Sequence, residues 1–184
     1  MAFLRPLLAD SGVSVVVRSG AMAELLAALE AHRLDIVLSN QAPMRDSATP
    51  WTVRTLDEQP VSLIGTPERL NGRTALETLL DAEPVILPTA DSGYRNGIDL
   101  ITERLAAPPT IAAEVDDMAM MRLLAREDIG LALLPPVVVR DELESGRLVE
   151  ACRLPGVSEV FCAITLKSAF PHPALKSVLA TPAE

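Results

Sequence analysis

Apolar residues along the chain alternate between helix-like spacing and short continuous runs, which predicts a series of helices and buried strands. Residues 129–134 form an apolar run of strand length, and Pro135 and Pro136 separate it from a helix pattern over residues 137–144. Pro136 suits the first turn of a helix, where its missing N–H would have no partner, and Gly146 suits a left-handed stop. Strand, turn, helix and strand in this order indicate a parallel α/β unit.

The first half of the chain shows the same alternation. The near-continuous apolar run that ends at Ser39 is typical of a strand in a parallel sheet covered on both faces. A polar, turn-rich stretch follows, and residues 57–59 are interpreted as a crossing into a second half. Up to this crossing the pattern predicts helices over residues 2–9 and after Gly20, and strands over residues 13–18, 34–39 and 51–56.

The second half is predicted to contain a further series of strands and helices. Ser92 is a candidate N-cap for a helix with Tyr94 and Ile98 on its apolar face, and Asp116 or Asp117 is a candidate cap for a Met-rich helix. The other predicted elements are strands over residues 60–65, 84–87, 110–115, 129–134, 148–154 and 159–166, and helices over residues 75–80, 137–144 and 174–179.

The composition of the chain limits the classes of function that it can have. The chain has 184 residues, of which 49% are hydrophobic, so it can bury a sizeable core. Its net charge of −9 argues against binding nucleic acid, because its 16 basic residues form no run. Cys152 and Cys162 lack the spacing of a metal site and are expected to be unpaired thiols. Without a secretory signal or an apolar run of membrane length, we expect a soluble cytoplasmic protein with no membrane partner.

Two segments carry a resemblance to a known family. The sequence GLALLP, followed by VRDELESGRLV, resembles the late part of the effector-sensing domain of LysR-type transcriptional regulators, and HRLDIVLSN (residues 32–40) is similar to an earlier helix-to-strand passage. The resemblance implies an α/β fold like that of periplasmic binding proteins, with two doubly wound subdomains joined by two crossovers. Residues 1–58 and 159–184 would form subdomain 1, residues 59–158 subdomain 2, and the N-terminal winged helix-turn-helix would be absent.

The resemblance also implies a function. Such a domain binds a small-molecule or ion effector, needs no cofactor, forms a homodimer or higher oligomer, and reaches DNA only through a domain not in this chain. Residues 113–125 and 161–174 look like the sodium-responsive activators of sodium/proton antiporter genes. A free-standing solute-binding protein and an enzyme on a similar scaffold are the alternatives. The chain carries no GxSxG, P-loop, GxGxxG or HExxH motif, and we expect it not to be an enzyme.

Small polar residues follow the predicted strands, where the ends of parallel strands and the starts of helices converge on ligands. Ser19, Ser39 and Ser92 match family positions that line the effector site, although residues of this type at such turns are more often caps. Tyr94 either packs in the core or stacks on a ligand, and Arg95 either pairs with its i+4 neighbour or clamps a carboxylate. The candidate effector-binding residues are Ser19, Gly20, Ser39, Asn40, Thr89, Ser92, Tyr94, Arg95 and Asp116. We predict that Ser19, Ser39, Thr89 and Ser92 face one cleft between the two halves.

The first strand of the family's subdomain 1 is missing from this chain according to the resemblance. In the family this strand lies between the strands that correspond to residues 13–18 and 34–39, so its loss leaves two strand edges unpaired, which is costly for buried backbone groups. We expect that residues 13–18 pair with residues 34–39, or that another chain supplies a strand, or that the domain has low stability. An uncovered first helix, with Phe3, Leu4, Leu7 and Leu8, further predicts self-association.

Overall fold

The computed structural model describes residues 8–9, 12–43, 50–105, 108–167, 174–175 and 179. Within these ranges the chain alternates between helices and strands, as an α/β protein does. In chain order the elements are α1 (Met22–Glu30), β1 (Val37–Ser39), β2 (Trp51–Gly65), α2 (Pro67–Leu70), α3 (Leu76–Ala82), β3 (Val85–Pro88), α4 (Arg95–Thr102), β4 (Ile111–Val115), α5 (Met118–Arg126), β5 (Leu131–Leu134), a 3-10 helix η1 (Pro136–Val139), α6 (Arg140–Glu144) and β6 (Val149–Leu166).

The chain forms two compact units. Unit 1 consists of Met1–Glu58 and Val160–Glu184, and unit 2 of Gln59–Glu159. The described strands are hydrogen-bonded neighbours in the order β1-β6-β2-β5-β3-β4, which makes a mixed six-stranded sheet. No helix among the described residues has the length and apolar composition that crossing a bilayer requires.

Unit 2 is a doubly wound α/β unit. Strand β3 runs parallel to both β4 and β5, with Val85 opposite Ile111 and Leu131. Both β3 (VILP) and β5 (LALL) are apolar and buried along their whole length, as expected for parallel strands with both faces covered. Side chains on one face, among them Leu133, pack with residues of α3 and α4. Side chains on the other face, among them Leu134, pack with α5 and η1.

Two turn predictions in unit 2 are confirmed. Pro136 lies in the first turn of η1, and Gly146 has a φ of 72°, the left-handed conformation that ends the following helix. Gly130 has a different role, since a Cβ there would lie 2.6 Å from the carbonyl oxygen of Pro84. That carbonyl accepts a hydrogen bond from the Leu131 N–H at 2.8 Å, so the glycine lets β5 approach the start of β3 closely.

Unit 1 has a smaller core. Strand β1 runs antiparallel to β6, with Val37 opposite Ile164 and Ser39 opposite Cys162. Leu29 of α1 is buried with them, and apolar residues of α1 and β2 surround this cluster. The amphipathic helix predicted after Gly20 is therefore confirmed.

The predicted strand over residues 13–18 is wrong. These residues belong to no strand, and Val16 and Val17 are 74% and 71% exposed. Their β-branched composition favours extended backbone, but without a neighbouring ladder this preference forms no strand. Pairing of residues 13–18 with residues 34–39 does not occur within the described part of the chain. The parallel sheet expected in this half is also not seen there, because β1 pairs antiparallel.

Strand boundaries differ from the prediction at the polar residues 57–59 and around Gly156. The two strands expected on either side of residues 57–59 form the single strand β2, and those expected around Gly156 form the single strand β6. In both places backbone pairing continues where side-chain patterning is interrupted, because a ladder is held by main-chain hydrogen bonds whatever the side chains are. The helix predicted over residues 2–9 and the one over residues 174–179 lie mostly outside the described residues.

Candidate functional site

The carboxyl ends of three parallel strands lie along one edge of unit 2. Strand β3 ends at Pro88, β4 at Val115 and β5 at Leu134, and each is followed by a turn that leads into a helix. The Thr89 N–H donates to the Val115 carbonyl at 3.1 Å, which joins the turns after β3 and β4. Such an edge collects backbone N–H groups and helix N-termini, the features that bind small polar solutes in α/β folds.

The turn after β3 contains the first two candidate residues of this edge. The Thr89 hydroxyl donates to Asp91 Oδ1 at 2.6 Å and holds the pKa of that carboxyl below its usual range. The Ser92 N–H donates to the Thr89 carbonyl at 3.0 Å and closes the turn. The Ser92 side chain is half-buried, and its hydroxyl has no hydrogen-bond partner among the described residues. It is therefore available to a ligand, whereas the Thr89 hydroxyl is already donating.

Ser92 is not the N-cap that the sequence predicted. Helix α4 begins at Arg95, with Tyr94 as its N-cap and without a side-chain capping bond. The Ser92 carbonyl accepts from the Arg95 N–H at 3.2 Å, so the serine contributes its backbone to the turn before the helix and leaves its hydroxyl free. The reason is the additional turn over residues 89–94, which starts the helix later than the apolar spacing suggested.

Arg95 stabilises the strand-end edge through hydrogen bonds of its guanidinium. Its Nε donates to Asp99 Oδ1 at 2.8 Å, and its Nη1 donates to the Pro88 carbonyl at 2.6 Å and to Glu114 Oε1 at 2.5 Å. Burial alone would lower the pKa of this guanidinium, but the hydrogen bonds to Asp99 and Glu114 outweigh it and raise the pKa. The predicted i,i+4 pair with Asp99 is confirmed, and Arg95 ties α4 to the ends of β3 and β4.

Tyr94 lies in the core of unit 2. Its side chain is buried beside Ile98, and its hydroxyl donates to the Leu133 carbonyl at 3.2 Å. Burial, with a smaller contribution from the charge of Glu159, raises the pKa of the phenol well above its ordinary value. The tyrosine is therefore a neutral hydrogen-bond donor to β5, which agrees with the packing alternative that its phase with Ile98 suggested.

The start of helix α5 contributes one free and one engaged carboxylate. Asp116 is exposed, and its side chain has no partner among the described residues. Asp117 is the N-cap, and its Oδ1 accepts from the Ala119 N–H at 3.0 Å, as predicted. Because Asp117 already satisfies this helix terminus, an anionic group is better accommodated near α4, which has no side-chain cap.

The remaining candidate residues belong to unit 1. Ser19 and Gly20 are exposed and directly precede α1, and Ser19 has no side-chain partner among the described residues. Ser39 and Asn40 are half-buried at the end of β1. The Ser39 hydroxyl accepts from the Gln41 N–H at 3.0 Å. Unit 1 therefore brings Ser39 and Asn40 together in one turn.

The sequence pattern did not identify Glu114 as part of this region. Its carboxylate accepts from Arg95 across the parallel pair β3–β4, where Leu87 is opposite Glu114. The signal that would have found it is the register of that pair, which a single sequence does not supply. Within the described ranges, no three His, Cys, Asp or Glu side chains come together as a metal site.

Several solved structures have a fold similar to that of this chain. The regulatory domain of HypT from Salmonella typhimurium in its apo form superposes with a TM-score of 0.68 at 16% identity, covering 95% of this chain and 84% of that chain. The effector-binding domain of QuiR in complex with shikimate superposes with a TM-score of 0.67 at 16% identity, covering 98% of this chain and 86% of that chain. Full-length LysG from Corynebacterium glutamicum with bound effector Arg superposes with a TM-score of 0.64 at 16% identity, covering 97% of this chain and 61% of that chain.

The share of each solved chain that is covered depends on whether that chain is a separate domain or a full-length protein. The chain spans 84% and 86% of the two separate domains but only 61% of full-length LysG. No curated protein matches this sequence. The family model described as the LysR substrate binding domain matches residues 7–182, which is nearly the whole chain. The chain therefore belongs to the LysR substrate-binding domain family, and its fold is the periplasmic-binding-protein-like α/β fold that the sequence predicted.

Proposed function

We propose that this chain is the effector-sensing domain of a LysR-type transcriptional regulator, and that it binds a small polar solute at the strand-end edge of unit 2. The observation that carries this proposal is the half-buried Ser92 hydroxyl, which has no partner among the described residues and lies just before the uncapped helix α4. A hydroxyl and a helix N-terminus together suit a carboxylate or another small anion. Arginine and shikimate, which the solved relatives bind, both carry a carboxylate.

The roles at this edge follow from which groups are already engaged. Ser92 would contact the ligand directly, and Asp116 would bind any cationic or hydroxyl group that the ligand also carries. Thr89 and Arg95 would hold the turn, because their side chains are bound to Asp91, Asp99 and Glu114. The candidate residues of unit 1, Ser19, Gly20, Ser39 and Asn40, are proposed as effector-binding residues as well. This is a binding role, and no catalytic step is proposed.

Ser92→Ala tests the assignment. Thermal shift and calorimetry with L-arginine, shikimate and a panel of small carboxylates identify a ligand of the unmodified protein, because a ligand of the native state raises its apparent stability. We expect Ser92→Ala to weaken binding about tenfold, the loss of one hydrogen bond to a charged group. Ser145→Ala is the matched control, since its hydroxyl contacts only the Glu142 carbonyl at 3.2 Å.

Three results would contradict the proposal. Equal affinities of Ser92→Ala and the unmodified protein would remove Ser92 from the site. A panel in which no carboxylate binds, while an uncharged solute does, would overturn the anionic class. If transcription in a reporter strain failed to respond to any ligand that binds in vitro, the sensing role itself would be wrong.

We also propose that sodium is an effector or co-effector. The support is the likeness of residues 113–125 and 161–174 to the sodium-responsive activators of sodium/proton antiporter genes. Melting temperatures in matched sodium and potassium chloride series separate a specific ion effect from ionic strength, because screening is the same in both. A rise that occurs only with sodium would agree with this subfamily, and identical curves would exclude it.

The regulator is proposed to act as a homodimer or higher oligomer in the cytoplasm, where a transcription factor meets its DNA. DNA contact is assigned to a domain outside this chain, because an acidic chain with a net charge of −9 is repelled by phosphates. Exposed Leu8, Val16 and Val17 support self-association, since removing apolar side chains from water against a second copy is favourable. Sedimentation showing only monomer at about 50 µM, where weak interfaces still persist, would count against an oligomer of this chain.

A further inference from the structure

A buried thiol lies behind the turn that ends β1. Cys162 of β6 is opposite Ser39 in the antiparallel pair β1–β6 and is only 2% exposed. Its Sγ is 3.3 Å from the Ser39 carbonyl oxygen and 3.4 Å from the Gln41 carbonyl oxygen. One thiol hydrogen is thus shared between two carbonyls, one at each end of the turn.

The same turn is also held by a side chain of its own. The Ser39 hydroxyl accepts from the Gln41 N–H at 3.0 Å, which closes the loop over Asn40. Ser39 is the last residue of β1 and is paired with Cys162 in the ladder, so the turn begins directly after this pair. The thiol and the serine hydroxyl therefore add side-chain hydrogen bonds to backbone groups on both sides of Asn40.

We propose that Cys162 is a positioning residue for the effector site, because its thiol fixes the Ser39–Gln41 turn that carries Asn40. This inference rests on the proposed function, which counts Ser39 and Asn40 among the effector-binding residues. Cys162 itself does not touch the ligand. The chemical requirement is a buried hydrogen-bond donor at this place in β6, and an apolar side chain of the same size cannot meet it.

The state of the thiol agrees with a donor role. Burial raises the pKa of Cys162, so its sulfur keeps its hydrogen at neutral pH. The residue is a free cysteine and packs beside Leu29, Val37 and Ile164. Packing alone would be served equally well by valine, and this difference separates the two roles.

The experiment compares Cys162→Ser, Cys162→Val and the control Cys152→Ala in the full chain, with amide hydrogen exchange of Gln41 as the readout. Serine retains a donor but is less apolar, whereas valine retains apolar volume but cannot donate. We expect Cys162→Val to accelerate exchange at Gln41 about fivefold to tenfold, the effect of losing a typical hydrogen bond. Exchange at Val37 and Ile164 in the β1–β6 ladder should change far less, and Cys162→Ser should resemble the unmodified protein at Gln41.

The outcomes that overturn the inference are distinct. Unchanged exchange at Gln41 in Cys162→Val, or equal acceleration throughout the β1–β6 ladder, would leave Cys162 as a packing residue only. The second readout is the affinity for L-arginine and for shikimate, where Cys162→Val should bind about tenfold more weakly. An unchanged affinity beside a loosened turn would remove the turn from the effector site. If the unmodified protein binds neither probe, the affinity is measured with whichever carboxylate of the panel it does bind, and exchange at Gln41 decides the role of the thiol in either case.

Discussion

Units 1 and 2 differ in how fully they bury their apolar residues. In unit 2 the β-strands β3 and β5 are buried along their whole length, and clusters on both faces of the sheet cover them with helices. In unit 1 a single cluster surrounds the three-residue strand β1, and the β-branched residues Val16 and Val17 are largely exposed. Apolar composition therefore becomes core only where a neighbouring element supplies the other side of the contact.

Unit 2 also contains a network of ion pairs. In unit 2 Arg69 contacts Asp128 Oδ1 at 2.7 Å and Glu83 Oε2 at 2.9 Å, and Arg73 also contacts Glu83. Thr66 donates to the same Asp128 carboxylate at 2.8 Å. The network fastens α2 to the ends of α3 and α5. All residues of this network lie in unit 2.

The largest expected effect is in backbone protection. No backbone hydrogen bond joins residues 13–20 to another described residue, whereas Ile86 and Ala132 lie within the paired core strands of unit 2. In native-state hydrogen exchange we expect the amides of residues 13–20 to exchange at least about a thousandfold faster than those of Ile86 and Ala132. Strong protection of Val16 and Val17 would show that a partner strand covers them in solution, and it would break the comparison.

Truncation of one apolar side chain in each unit tests the same contrast energetically. Leu133 is fully buried, and its carbonyl, which accepts from Tyr94, is retained by any substitution. We expect Leu133→Ala to lower the free energy of unfolding by about 3 kcal/mol, measured by urea denaturation. The control Val16→Ala should change it by less than about 0.5 kcal/mol, because the removed methyl groups are exposed. A comparable loss at Val16 would mean that this residue has a partner in the assembled protein.

The sequence predicted unit 2 better than unit 1, and the reason is physical. Strand and helix patterns in unit 2 agree with their surroundings, so β3, β4, β5 and α5 lie within a few residues of their predicted positions. Residues 13–18 have the composition of a strand but no ladder beside them. The continuity of β2 through residues 57–59 depends on its neighbours in the sheet, which composition does not reveal.

The candidate site shows the same limit. Residue type and position after strands led to Thr89, Ser92 and Asp116, which lie at the strand-end edge of unit 2. Whether a hydroxyl is free or engaged was beyond the sequence, because it depends on distances between turns. The thiol of Cys162 is a further example, since its two carbonyl partners are more than 120 residues away along the chain.

Substitution of Glu142 tests whether the stability of unit 2 also depends on a buried charge. Its carboxylate is almost fully buried, and Oε1 accepts from both Nε and Nη2 of Arg122 at 2.8 Å. We expect Glu142→Ala to cost about 2 kcal/mol in urea denaturation, less than for a fully buried pair because Arg122 is one-third exposed. The exposed neighbour Glu144, changed to alanine, is the control and should have little effect. A neutral Glu142→Ala would assign the stability of unit 2 to apolar packing alone.

The smallest expected effect is the pH dependence of the Arg69 network. The hydrogen bond from Arg69 lowers the pKa of Asp128, and that from Arg73 lowers the pKa of Glu83. A carboxyl whose pKa is lower in the folded state binds protons more readily when unfolded. Its stabilisation is therefore present above the ordinary pKa near 4 and is lost as pH falls through the folded value.

Arg69→Met removes the part of this stabilisation that depends on Asp128 and should make the pH profile less steep. Between pH 5.5 and pH 3.5 we expect the unmodified protein to lose more unfolding free energy than Arg69→Met, by less than about 1 kcal/mol because the Asp128 side chain is half-exposed. Arg104→Met, at an exposed arginine after α4, is the control and should keep the original slope. Urea denaturation at both pH values measures the difference. Equal losses in all three proteins would mean that the network orders α2 without stabilising unit 2, so that packing alone would distinguish unit 2 from unit 1.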